Sequence, residues 1–388
     1  ISDIGSSNEI DSLVALYRSH FQEISKPGGS AFPKDLRNYR TIATKLYERV
    51  WKPVESKLGD ADFVFIAPDA ALNLVSFAGL TDGANKYLIE RYPIQYLSSG
   101  RDLIRLKELV ESGEGLFALG DPDFDASASV RLSSETALTQ AEQMDTAVYA
   151  LRNIRSGCDA LHEITVLRLP GTRKEVERIS EVWEKKSREP CHAFFGPEAS
   201  EDNFKRSAPG NKVIHLATHG YYAESDCRPE LPKSRLGMSE GFVGENPLLL
   251  SGLFLAGANL HGEGADSLGV EDGILTAEEV TGMDLEGTRW VVLSACESGL
   301  GEVKAGEGVY GLRRAFQMAG ARTVISALWP VSDKTTAEMM SYLYGFEENN
   351  LALAMQSLSK KKLEELRKRN QPDHPYLWAP FIALGDWR

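Results

Sequence analysis

Cysteine is scarce in this chain, long apolar runs are missing, and positive charge is in deficit. The four cysteines, Cys158, Cys191, Cys227 and Cys296, are spread over 388 residues and form no CxxC pair. That spacing argues against a disulfide framework and against a zinc knuckle. It fits reduced thiols in a cytoplasmic protein, so any thiol chemistry must rest on one special cysteine. The longest apolar runs have the length of a single buried strand, short of the ~20 residues that a membrane helix needs. No basic-then-apolar leader is evident. Lys plus Arg number 43 against 56 for Asp plus Glu, a formal charge of −13. A chain this acidic has no global attraction for nucleic acid, although a local basic patch stays open. What is plentiful is ordinary: 42% hydrophobic and 26% charged residues read as a globular protein. The length suffices for two or three domains. The first residue is Ile1, not Met, and residues 1–388 are expected to be part of a longer protein.

Residues 1–60 read as helical. "NEIDSLVALYRSHFQEI" places Ile10, Leu13, Leu16, Tyr17 and Phe21 at helical spacing. "KPGGSAFPKD" breaks the pattern, and Asp35 is expected to cap a second helix running to about residue 58. These helices either pack on the adjoining domain or end a larger helical region. From Asp62 the pattern changes to short apolar runs. "DFVFIAP", "GLFALGDP" and "EITVLRLPG" read as strands, with a helix expected across 100–112 and another in "RKEVERISEVWEKKS". In the second half "KVIHLATHG", "TRWVVLSAC" and "ARTVISALWP" are rich in Val and Ile. "GILTAEEV", "GEGVYGLRRAFQMAG" and "KTTAEMMSYLYGF", read as helical, separate or follow them. Strands alternating with helices predict an α/β fold with a mostly parallel sheet. Active groups in such sheets lie beyond the carboxyl ends of the strands. His219 and Cys296 both occupy that position, separated by a connection over 221–272 that reads as a long loop.

Cysteine is a strong nucleophile only as thiolate. Cys296 ends its apolar run instead of lying inside it, which weakens the alternative of a buried core thiol. His219 stands at the glycine-marked tip of its own run, as a base would. His215, four residues earlier, lies within the run and reads as a packed residue. A His–Cys pair in hydrogen-bond reach supports acyl transfer, and the N–H groups of Gly220 and Cys296 can form an oxyanion site. Two unrelated strand ends remain the alternative. A metal site built from His215, His219, Asp226 and Cys227 is a poor reading, because "HLATH" lacks the glutamate of HExxH and sits in a strand-like context. "GEGVYG", Gly306 to Gly311, matches GxGxxG only formally: no strand leads directly into it, and Glu307 repels a diphosphate. Gly308 and Gly311 read instead as allowing a helix to pack close to the sheet. The connection after His219 is acidic, with Asp226, Glu230, Glu240, Glu245, Glu263, Asp266, Glu271 and Asp272. If it borders the cleft it favours a basic side chain; otherwise it is a solvated loop. "SKKKLEELRKR", Ser359 to Arg369, is a basic helical face turned to solvent or a protein partner.

The two tips also carry a resemblance. Together with "FIAPDAALNLVSFAGL", "ALGDPDF", "HLATHGYY", "DGILTAEEV", "VVLSACESGLG", "GEGVYGLRRAFQMAGARTVISALWPVSD" and "HPYLWAPFIALGDW", they are similar to the CHAT family. These are caspase-like proteins of peptidase clan CD, related to caspases and separase and often joined to tetratricopeptide repeats. The resemblance runs from about Asp62 to Arg388; the family's usual SACETG stands here as SACESG. It implies a caspase-like, mostly parallel sheet flanked by helices and cysteine endopeptidase activity, with His219 as catalytic histidine, Cys296 as nucleophile and no cofactor. It implies three segments: a helical segment over 1–60, a degenerate caspase-like half over 61–160 without the dyad, and a catalytic half over 161–388. Any repeat array is expected upstream of Ile1. Relatives cleave after basic residues, so Arg or Lys is expected before the cleaved bond, read by Asp226 and Asp272. The resemblance also permits a bacterial defence role beside CRISPR effectors or gasdermin-like pore formers, with a regulatory protein or proteolysis as the switch. A protease-like scaffold or binding module without turnover is the alternative. The sequence locates no third residue to orient the histidine.

Overall fold

A computed structural model of the protein describes residues 2–24, 32–84, 86–108, 111–127, 165–222, 246–260, 271–295, 302–304, 308–330, 333–346 and 350–388. Two helices, α1 (Ser7–Ile24) and α2 (Phe32–Leu46), come first. Then follow β1 (Val64–Ile66), β2 (Ile94–Tyr96) and β3 (Leu116–Pro122). The long helix α3 (Pro170–Lys186), β4 (Cys191–Gly196), α4 (Glu201–Ser207) and β5 (Val213–Ala217) lead to the site. Beyond it come β6 (Gly220–Tyr222), β7 (Ser251–Phe254), β8 (Ile274–Thr276), α5 (Ala277–Thr281) and β9 (Trp290–Ser294). A hairpin, β10 (Glu302–Lys304) and β11 (Gly308–Tyr310), precedes α6 (Leu312–Met318) and β12 (Thr323–Ala327). Helices α7 (Asp333–Gly345) and α8 (Leu351–Lys368) and the strand β13 (Phe381–Gly385) close the chain.

Eight strands form one sheet in the order β1-β2-β13-β12-β9-β5-β3-β4. Strands β12, β9, β5, β3 and β4 run parallel to one another, as do β13, β2 and β1; the two blocks meet antiparallel where β13 pairs with β12. The α/β class and the mostly parallel sheet are therefore as the strand–helix alternation predicts. Strands from 61–160 and from 161–388 interleave within this sheet, β3 lying between β5 and β4.

The parallel block reads as near-continuous apolar sequence because both of its faces are covered. Leu116 and Ala118 of β3 face a core shared with α3, α7 and α8, including Val176, Ile179, Met339 and Leu358. Phe117 and Leu119, one residue out of phase, face Phe204, Leu312 and Phe316 on the other side. Where β3 meets the start of α3 the approach is close. A Cβ on Gly120 would lie 2.8 Å from both the Thr172 carbonyl oxygen and Val176 Cγ2. The third core belongs to the other block. There Tyr17 and Phe21 of α1 and Tyr39 of α2 join Trp329, Trp378 and Ile382, with Phe21 stacked on Trp329 at 3.9 Å. The N-terminal helices thus pack on the adjoining domain.

Several local expectations change. Helix α2 begins at Phe32, so Asp35 lies inside it; Pro33 in the first turn costs no helical hydrogen bond. Among the described residues of the 100–112 stretch, only Asp102–Arg105 is α-helical. The segment 221–272 is no simple loop. Pro247–Leu250 is a 3-10 turn and Ser251–Phe254 is the central strand of a three-stranded antiparallel sheet, β6-β7-β8. "GILTAEEV" starts as strand β8 before α5, and the Gly308 stretch is strand β11, with Gly311 capping α6 instead of lying within a packed helix. "EITVLRLPG" is not a strand over its described part: residues 165–169 are irregular and lead straight into α3. The Val166 N–H and carbonyl and the Leu167 carbonyl bond to side chains instead of to a neighbouring strand.

Candidate active site

Strand β5 enters the sheet between β9 and β3 and pairs in parallel register with β9, Val213 with Trp290 through Ala217 with Ser294. Its last residue, Ala217, is followed by Thr218 and His219. Thr218 Oγ1 donates to the Phe254 carbonyl at 2.5 Å, and the Phe254 N–H donates to the His219 carbonyl at 3.0 Å. These bonds turn the chain out of the large sheet and into β6 of the small one. His219 thus stands just past the carboxyl end of its strand, as the sequence pattern predicts.

The imidazole is 1% exposed. Its Nε2 lies 2.9 Å from the Leu167 carbonyl oxygen. A carbonyl can only accept, so Nε2 carries the proton and Nδ1 carries the lone pair. Among the described residues Nδ1 has no hydrogen-bond partner. Phe124 packs against the ring at 5.7 Å between centroids, within a small apolar cluster of Phe124, Val166, Tyr221, Phe254 and Ala258. Burial pulls the imidazole pKa down to about 4, and the bond to Leu167 opposes only part of that shift. The ring is therefore a neutral imidazole at neutral pH, with one nitrogen anchored and the other available.

The orienting group that sequence reading did not find is this main-chain carbonyl. A backbone oxygen has no residue type to betray it. The chain around it is held by side chains: Arg168 and Arg173 both bond to the buried Asp121, at 2.8 and 2.9 Å. Asp121 itself sits at φ +47° in the left-handed region, which Asp tolerates better than most residues. Its N–H donates to Thr172 Oγ1 at 2.8 Å.

Of the other sequence candidates, Gly220 opens β6 opposite Leu253. Because His219 C=O already accepts from Phe254 N–H, Gly220 and Leu253 form a non-hydrogen-bonded pair, and the Gly220 N–H points away from β7. Asp272 lies two residues before β8, at the edge of the same small sheet, with Oδ1 accepting the Ile274 N–H at 2.9 Å. Beside it, Lys205 Nζ sits among Glu201, Glu271 and Glu279 at 2.7, 3.0 and 3.1 Å. Burial first, then the charge of Glu279, pushes Glu201 up to about 8. Cys296 and Asp226 lie outside the described residues, as do Cys158 and Cys227. Cys191 is a free thiol whose pKa burial raises, the unreactive kind. His215 is buried and engaged at both nitrogens, 2.9 Å from Glu175 Oε1 and 3.1 Å from the Tyr344 hydroxyl.

A family model for the CHAT domain matches residues 40–386 of this chain. The chain is 23% identical over 381 residues to tetratricopeptide repeat protein 28 of Homo sapiens, covering 93% of this chain and 14% of that protein. It is 25% identical over 219 residues to the Mus musculus protein of the same name, covering 56% and 8%. The chain thus spans a small part of the length of these relatives. Among solved structures it is similar to the Arg specific cysteine proteinase gingipain R, with a TM-score of 0.46, 9% identity and coverage of 98% of this chain and 74% of that one. It is also similar to the Saccharomyces cerevisiae separase–securin complex, with a TM-score of 0.42, 10% identity and coverage of 96% and 22%. Among the described residues no helix is long and apolar enough to cross a membrane.

Proposed function

The chain belongs to the CHAT domain family, and from that premise we propose that it is a cysteine endopeptidase in which His219 serves Cys296. The observation that supports this most directly is the state of His219: buried, neutral, anchored through Nε2 and open at Nδ1. A base at a peptidase site needs that division of labour, one nitrogen for orientation and one for the proton in flight. The register supports the choice of thiol. Ala217 pairs with Ser294, and His219 and Cys296 each follow a paired residue by two positions.

In the proposed reaction His219 Nδ1 takes the thiol proton and the sulfur attacks the substrate carbonyl, forming a C–S bond. The oxyanion is stabilised by the N–H groups of Gly220, which points away from its strand partner, and of Cys296. The imidazolium returns its proton to the leaving amine as the C–N bond breaks. Water, deprotonated by the same ring, then hydrolyses the thioester. No step calls for a cofactor. Asp272, at the edge of the small sheet that begins with Gly220, is proposed with Asp226 to read an Arg or Lys before the cleaved bond. Control by proteolysis or by a regulatory protein such as a CRISPR effector, in bacterial defence, belongs to the same proposal. The face of α1 turned away from the core, with Asp11, Leu16 and Ser19 exposed, is where a partner on the N-terminal helices would dock.

The test is a panel of internally quenched peptides with Arg, Lys, Asp or Glu before the scissile bond, together with a substrate-like thiol electrophile. The wild-type chain is expected to cleave the basic peptides and to be labelled, and Cys296→Ala to do neither. Equal cleavage by Cys296→Ala overturns the assignment. Absence of both cleavage and labelling in the wild type, with neighbouring-gene proteins added, favours a scaffold without turnover.

A further inference from the structure

The Leu167 carbonyl can orient His219 only if something orients Leu167. Its own side chain does little, being 41% exposed. Neither does secondary structure, since residues 165–169 belong to no helix or strand before α3 begins at Pro170. The residues on either side are gripped instead. Arg168 is paired with Asp121. Val166 is held by Asn259, whose side-chain Oδ1 accepts the Val166 N–H at 2.7 Å while its Nδ2 donates to the Val166 carbonyl at 3.0 Å. The second Nδ2 proton goes to Asp125 Oδ1 at 2.7 Å. A carboxylate only accepts, so Asp125 determines which end of the amide is which. The Asn259 main chain is fixed in turn, its N–H donating to the Phe124 carbonyl at 2.9 Å, next to the ring that packs on His219.

One side-chain amide thus does for Val166 what a neighbouring strand would, engaging both of its peptide groups at the residue just before the orienting carbonyl. We propose that Asn259 is a positioning residue that, with Asp125 setting its orientation, places the Leu167 carbonyl and so holds His219 in the Nε2–H form with Nδ1 open. This rests on the peptidase reading for its effect on turnover, but its effect on the imidazole does not depend on that reading.

The test uses the full chain labelled with ¹⁵N-histidine, the His219 signals being identified by their loss in His219→Gln. The wild type is expected to show His219 as the Nε2–H tautomer at neutral pH. Asn259→Ala, checked for folding by its thermal melt, is expected to show a mixture of tautomers. Asn259→Asp keeps the acceptor for Val166 but loses both donors and sets a carboxylate against Asp125, so the same defect is expected. Asp125→Ala, which frees the amide to turn, gives a smaller shift in the same direction and keeps the proposal testable should the Asn259 variants fail to fold. On a basic peptide Asn259→Ala is expected to lower kcat about 10- to 100-fold, the size of effect that loss of an orienting partner has on a metal-bound imidazole, with KM within about twofold. Folded variants with an unchanged tautomer and unchanged kcat overturn the positioning role and leave the peptidase reading standing. A tautomer shift in Asn259→Ala, with a wild type that neither cleaves peptide nor is labelled by the electrophile when neighbouring-gene proteins are added, upholds the positioning role and overturns the peptidase reading.

Discussion

Strand β5 and the turn that follows it carry two buried histidines four residues apart, and they are held in different ways. His215, within the sheet, is tied at Nε2 to Glu175 of α3 and at Nδ1 to Tyr344 of α7. It joins two helices to a strand and has no nitrogen left for a substrate. His219, just past the end of the strand, is as fully buried, but its one described polar partner is a neutral carbonyl. Burial is common to both, so burial does not make a base. The difference lies in how many ring nitrogens the fold occupies and in whether the partner is another side chain or the main chain.

The comparison breaks most sharply in activity. His219→Gln is expected to lower kcat/KM on a basic peptide by about 10³-fold or more. His215→Gln is expected to leave kcat/KM of the folded protein within a few-fold. Equal losses in the two variants would make the distinction between the two positions untenable. The pH profile sharpens it next. Because burial pulls the His219 pKa down to about 4 and the proposed base is the neutral form, the acid limb of kcat/KM is expected near pH 4, not near 6.5.

Stability follows the same shift with its own sign. The folded ring holds a proton less readily than the ring of the unfolded chain, whose ordinary pKa is 6.5. Between pH 6.5 and 4 the unfolded state therefore binds more protons, and stability falls as pH is lowered through that window. The His219 share of the loss is about 3 kcal/mol by pH 4, and this group has no effect above 6.5. His374 adds to the same slope, since burial, then the nearby His20 and Arg40, pulls it down to about 3. Urea unfolding at pH 7 and at pH 5 should show His219→Gln losing less stability on acidification than the wild type does. The reverse order would contradict a neutral, buried His219.

Smaller effects complete the set. Glu175→Ala strips a buried partner from His215 and is expected to cost about 1–3 kcal/mol in urea unfolding, with kcat per folded molecule little changed. Asp272→Asn removes one partly exposed charge and is expected to raise KM for an Arg peptide about threefold and to leave an Asp peptide unaffected. An equal change for both peptides would remove Asp272 from the reading of charge.

Much of the frame was legible in the chain. The three Val- and Ile-rich runs of the second half are β5, β9 and β12, adjacent in one parallel block, because strands buried on both faces must be apolar throughout. His219 could be distinguished from His215 because a polar residue next to glycine marks where such a strand ends. Segments that mix types were harder to read. "GILTAEEV" is half strand and half helix, since a window long enough to show a period spans the switch between two. The stretch Ser251–Phe254 looked like loop because its surroundings are rich in glycine, although the strand itself is buried.

The sequence by itself determined the alternation of strands and helices, the strand end at which His219 stands, and the apolar pattern that buries the sheet. These are local, written in side-chain type and spacing. Only the tertiary structure decided that β13 crosses to join the two parallel blocks, that Asp121 and Asn259 grip Arg168 and Val166 across 47 and 93 positions of chain, and that the carbonyl of Leu167 meets His219. A backbone carbonyl is the same atom in every residue. Its role depends on where folding puts it, and no spacing of side chains records that.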